Sequence, residues 1–143
     1  MEDFATAALR HLESAEVLEL DGRLDDAAYH FGLVGETALK AAVLGAIGGN
    51  APVLPSRLKK HINHPQQSLQ TAIARETQLI GLLCNGRLGG ALLIEMQSGT
   101  LGTRFAGWSL DIRYADSNHC PVQLQDVHRW KLDAVTLYNA GTF

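Results

Sequence analysis

Between Asp3 and Leu20, the residues Phe4, Ala7, Ala8, His11, Leu12, Ala15 and Leu18 recur at the spacing of one helix face, while Arg10, Glu13 and Glu16 lie away from it. That spacing predicts an amphipathic helix. Asp21-Gly22-Arg23 stops it, because glycine closes helix C-termini, and Asp25 or Asp26 can cap a second helix running to about Ile47. Two long helices joined by so short a turn must pack antiparallel. Gly32 and Gly35 interrupt the second helix at a cost of roughly 1 kcal/mol each against alanine. Such a cost is expected where another helix backbone approaches closely.

The remaining chain reads as further helix separated by loops. Gly48 to Pro55 ends the second helix in a loop, Ser56 can cap a short turn through His61, and Pro65 suits the first position of a third helix reaching about Cys84. Leu69, Ala72, Ile73, Leu79, Ile80 and Leu83 supply its apolar face. Residues 85–107 contain six glycines around one apolar run, Ala91 to Met96, which predicts loop, short helix, loop. After Pro121 the helical pattern returns, with Val127, Trp130, Ala134, Leu137 and Tyr138 on one side. The expectation is a single all-α domain over 1–143, a four- to five-helix antiparallel up-and-down bundle.

Composition narrows the class of function. With 143 residues, 46% of them apolar and 19% charged, the chain can bury a core without metals or disulfides. A formal charge of -3 gives no net attraction to nucleic acid, so RNA binding would need a local basic patch. The first 30 residues lack an apolar core flanked by basic groups, and Cys84 and Cys120 do not suggest a disulfide framework, so the cytoplasm is the expected compartment. The longest apolar stretch, Ala41 to Gly49, falls far short of the roughly 20 residues that span a bilayer.

One segment breaks the helical pattern. In Trp108-Ser-Leu-Asp-Ile-Arg-Tyr114, apolar and polar residues alternate as in a half-buried strand, yet no second strand of similar quality exists to pair with it. It reads as an extended connector laid over the helices, its apolar side holding it down and its polar side presenting Ser109, Asp111 and Arg113. His119 follows shortly, ahead of Cys120 and Pro121.

The order of several short motifs resembles the HEPN domain: Gly22-Arg23 leading into Ala27-Ala28-Tyr29-His30-Phe31-Gly32, then Glu36-Thr-Ala-Leu39-Lys40-Ala41, and later Trp108 through Arg113-Tyr114. The resemblance covers roughly residues 3–140, and His61 stands where members often carry a histidine after a proline-bearing loop. It implies a small helical bundle, a homodimer packed across a two-fold axis and, in many members, a metal-independent endoribonuclease or one half of a toxin–antitoxin pair with a nucleotidyltransferase. Active members carry an Arg followed, after four to six residues, by a His; between Arg113 and His119 five residues intervene. The chain departs from that pattern at Tyr114, where active members usually place a polar residue, and Pro121 ends any helix close behind His119.

Two readings of these residues stand side by side. As a catalytic set, His119 takes a proton from a ribose 2′-hydroxyl, Arg113 braces the phosphate as its charge grows, and Asp116 orients the imidazole, without a metal or cofactor. As a structural set, Asp111 and Arg113 project from the same side of an extended segment and satisfy each other, while Trp108 and Tyr114 anchor the other side.

Arg57, Lys59 and Lys60 with His61 and His64 form the densest basic patch, fit either to meet phosphate or an acidic partner, or to serve as a solvated turn. His61 and His64 lack a third ligand nearby in sequence, so no metal is expected. The reading that results is a HEPN-like homodimeric binding module, acting on a nucleotidyltransferase-like partner or a nucleotide-like ligand. The alternatives are the endoribonuclease and a purely structural interaction protein.

Overall fold

Asp3 starts the first helix by capping it. Its Oδ1 accepts from the Thr6 backbone N–H at 3.0 Å and its Oδ2 from the Thr6 hydroxyl at 2.6 Å. The hydroxyl and then the amide of Thr6 hold the Asp3 carboxyl below the ordinary carboxylate range. Helix α1 runs Phe4–Leu20. The computed structural model describes residues 3–46, 73, 75, 90–109, 111–112 and 122–141.

At the end of α1, Gly22 adopts φ 77°, its N–H donates to the Glu19 carbonyl at 3.0 Å, and the Arg23 N–H donates to the Leu18 carbonyl at 2.9 Å. This pair of backward bonds is the Schellman closure, which reverses the chain over Asp21, Gly22 and Arg23, so that α2, Leu24–Ala46, begins at once. The two helices are antiparallel. Farther from the turn His11 meets His30, and farther still Lys40 Nζ lies 5.3 Å from the Phe4 ring centroid.

Helix α2 is the centre of the molecule. Residues 31–40 are buried without interruption, so this helix is covered on every side rather than along one stripe. Helix α1 lies on one flank and α4, Leu124–Ala140, on another. Helix α3, Gly90–Gln97, and a 3-10 turn, Leu101–Thr103, precede α4. Phe31, Val34, Leu39, Val43, Leu92, Leu101, Val127 and Leu137 form the most fully buried part of the core.

Among the described residues all regular structure is helical, as the periodicity predicts, and no helix is long and apolar enough to cross a membrane. The expected short helix at Ala91 to Met96 is α3, and the helix expected after Pro121 is α4. Of the third helix expected from Pro65 to Cys84, Ile73 is helical and buried and Arg75 is helical and exposed. The rest of that segment, the Gly48–Pro55 loop and the Ser56 turn lie outside the described residues.

Two expectations are corrected. Gly32 and Gly35 do not receive a helix backbone; they receive aromatic rings. A Cβ at Gly32 would overlap the Trp108 indole, and one at Gly35 would overlap the Phe105 ring. The second correction concerns the alternating segment: the Ile112 N–H donates to the Ser109 carbonyl at 3.2 Å and the Asp111 N–H to the Ser109 hydroxyl at 3.3 Å. The chain therefore turns at 109–112 rather than running extended. Trp108 and Ile112 are both buried at the two ends of this turn, while Ser109 and Asp111 between them are exposed.

Candidate functional site

The residues singled out from the sequence are Arg113, Asp116 and His119 as a catalytic set and Arg57, Lys59, Lys60 and His61 as a binding patch. All seven lie outside the described residues. What the structure does provide is the ground that precedes Arg113 in the sequence, residues 104–109 and 111–112.

That ground is a clamped loop, residues 104–108. The Arg104 guanidinium donates from Nε and Nη2 to the two Glu95 oxygens, at 3.0 and 2.7 Å, and from Nη1 to Asp133 Oδ1 at 2.9 Å. Glu95, with desolvation opposing it and Asp133 adding to it, holds the Arg104 pKa above its ordinary value. The second Asp133 oxygen accepts from the Phe105 N–H at 2.9 Å. Phe105 has φ 58°, a left-handed conformation uncommon for a side chain of this size, so its N–H bond holds a backbone that would otherwise relax.

Two indoles complete the clamp. Trp130 Nε1 donates to the Ala106 carbonyl at 3.1 Å, and Trp108 Nε1 donates to the Ala28 carbonyl on α2 at 2.8 Å. The loop is thus fixed to α2 through rings seated over Gly32 and Gly35, and to α3 and α4 through Arg104. The structural account of Arg113, in which Asp111 and Arg113 satisfy each other, lies outside the described residues on the Arg113 side; Asp111 itself is exposed.

From Trp108 a row of rings continues toward α1. The indole stacks on Tyr29 with centroids 6.4 Å apart, Tyr29 meets His30 edge-on at 5.5 Å, and His30 meets His11 at 5.2 Å. The two histidines face each other with Nδ1 atoms 3.0 Å apart. Burial lowers the pKa of both; the His30 charge and then Arg10 lower that of His11 further, while Asp26 acts to raise that of His30. Sequence reasoning missed this pair, although His11 stands conspicuously within the apolar stripe of α1.

A second polar feature lies deeper. Glu36 and Lys40 are 3% and 4% exposed, with Lys40 Nζ 4.0 Å from Glu36 Oε1. These residues belong to the motif behind the family resemblance, and their place in the centre of α2 makes them part of its packing rather than a surface site. Buried pairs of this kind contribute little net stability but are costly to break singly.

Among the described residues no group of three or more His, Cys, Asp or Glu side chains is placed to hold a metal ion. Several large apolar side chains among the described residues are exposed: Leu20 is 87% exposed and Val17 65% on α1, and Leu132 is 63% exposed on α4. Glu19 and Lys131, the neighbours of Leu20 and Leu132, are joined by a 2.7 Å bond. No protein-family model, no curated protein and no solved structure matches the chain.

Proposed function

We propose that this chain is a HEPN-like antiparallel helical bundle that works as a homodimer and acts by binding. Its partner is a nucleotidyltransferase-like protein or a nucleotide-like ligand, in the manner of one half of a toxin–antitoxin pair. The observation that carries the reading is the exposure of large apolar side chains on the two helices flanking α2, Val17 and Leu20 on α1 and Leu132 on α4. Val17 and Leu20, three positions apart, are neighbours on one face of α1, and a pair of large apolar side chains held in water there suits an interface. The motifs behind the resemblance lend support, because Gly22-Arg23 forms the helix closure and the stretch from Ala27 to Ala41 contains the continuously buried residues 31–40 of α2.

The test is the oligomeric state. Wild-type protein is expected to sediment as a dimer over a dilution series, and Leu20→Glu with Leu132→Glu to sediment as a monomer with unchanged helical circular dichroism. Exposed substitutions of this kind usually change folding stability by no more than about 0.5 kcal/mol. A wild type that is monomeric at every concentration overturns the proposal.

One observation favours endoribonuclease activity as a second reading: the loop that leads into Arg113 is fixed to three helices, the kind of rigid support that a catalytic arginine needs. With His119 as base and Arg113 as phosphate brace, single-stranded RNA should be cut in the presence of a chelator, and the cutting should vanish in His119→Ala. Intact RNA, or equal cutting by that variant, removes this reading.

A further inference from the structure

The pair of histidines at the α1–α2 seam is used by neither reading. Its geometry is specific. With Nδ1 atoms 3.0 Å apart and ring centroids 5.2 Å apart, the centroid separation is close to the largest that two imidazoles can have at that nitrogen distance. The two nitrogens therefore point nearly straight at each other, with the ring planes 37° apart. Lone pairs that chelate one metal ion must converge on a point off the line between them, so this in-line arrangement suits a shared hydrogen instead.

We propose that His11 and His30 form a one-proton latch that makes the packing of α1 against α2 sensitive to pH. Between two such nitrogens there is room for one hydrogen: one ring donates and the other accepts. The neutral pair meets this condition, and so does the singly protonated pair. The doubly protonated pair does not, because two N–H groups and two positive charges would then meet head-on across the seam, in a half-buried setting.

The surrounding charges set the order. Asp26, one turn before His30 on α2, favours a proton on His30, although Arg23 shares that carboxylate at 3.7 Å. On α1, Arg10 opposes a proton on His11, as does His30 itself. Tyr29 packs its ring edge against His30 and links the pair to Trp108 on the clamped loop. His30 thus takes the first proton and donates it to His11, which refuses the second.

The sign of the pH effect follows. Both histidines are held below the ordinary value of 6.5, so below that pH the unfolded chain binds more protons than the folded one. The stability is complete above about pH 6.5 and falls as the pH drops beneath it.

Urea unfolding of wild type and His11→Asn between pH 8 and pH 5 tests this, with the imidazole signals of His11 and His30 followed by NMR in the wild type. Relative to the variant, whose amide accepts from His30 in either protonation state, the wild-type folding constant is expected to fall by up to about tenfold per pH unit below pH 6. The NMR titration should show two separated steps below pH 6.5. Equal pH dependence in the two proteins, or two independent titrations near 6.5 in the wild type alone, overturns the proposal. The NMR measurement decides it even if the variant does not fold.

Discussion

Gly32→Ala is expected to destabilise the protein by about 2–4 kcal/mol, an unusually large effect for adding one methyl group to a helix. Taken alone, alanine should favour α2 by roughly 1 kcal/mol. The new Cβ, however, would occupy the space of the Trp108 indole, which is buried and hydrogen-bonded to the Ala28 carbonyl at 2.8 Å. Overpacking of this kind costs about 1–3 kcal/mol when neighbours give way, and loss of a buried tryptophan about 3–5 kcal/mol when they are expelled.

A double-mutant cycle isolates the cause. In a Trp108→Ala background the same Gly32→Ala change should become neutral or stabilising by up to about 1 kcal/mol, since nothing remains to collide with. Gly45→Ala serves as a control on the same helix, because no atom lies within 4 Å of its would-be Cβ. Urea unfolding followed by circular dichroism measures the wild type and the four variants. Equal costs of Gly32→Ala in the two backgrounds would show that the ring is not what the glycine accommodates.

Asp133→Ala is the second large effect, expected at about 3–5 kcal/mol and a fall in Tm of roughly 10 °C. Both carboxylate oxygens of Asp133 are engaged, one by Arg104 Nη1 and the other by the buried Phe105 N–H. Removing them takes one carboxylate from the Arg104 guanidinium and its acceptor from the buried Phe105 N–H. Glu95→Ala, which removes the two bonds at Arg104 Nε and Nη2 but leaves the Phe105 N–H bonded to Asp133, should cost about 1–2 kcal/mol because no buried backbone donor is orphaned. Thermal and urea unfolding rank the two variants. If Glu95→Ala proves equal to or worse than Asp133→Ala, the loop is held by the guanidinium alone and not by the Phe105 bond.

Much of the fold was legible in local patterns. The apolar stripe of α1, its glycine stop and the pattern of α4 depend on neighbours within a turn or two, and the structure places those helices where the spacing does. Gly32 and Gly35 were legible as close-approach sites but not as seats for rings, because the approaching residues, Phe105 and Trp108, lie some 70 positions later in the chain. The Trp108–Ile112 segment misled for another reason. The burial of Trp108 and Ile112 with Ser109 and Asp111 exposed is what a half-buried strand would show and is also what the turn shows, so only the hydrogen bonds decide.

The histidine pair was half visible. An imidazole within an apolar stripe asks for a polar partner, and the three-residue turn brings α2 alongside, but which residue of α2 meets His11 depends on the packing of the two helices. Arg113, Asp116 and His119 were legible as a motif, and they and the basic patch stand outside the described residues.

The clamped loop also bears on how the chain assembles. The α1–α2 seam brings together residues 19 positions apart, whereas the Trp108–Ala28 bond spans 80 positions and the Lys131–Glu19 bond 112. Closing longer loops costs more entropy before any contact rewards it. The hairpin is therefore the natural nucleus, formed with its two glycine notches still open to water. Insertion of the Phe105 and Trp108 rings into those notches is the late step that recruits the C-terminal half, so the notches act as a template that waits for its two rings.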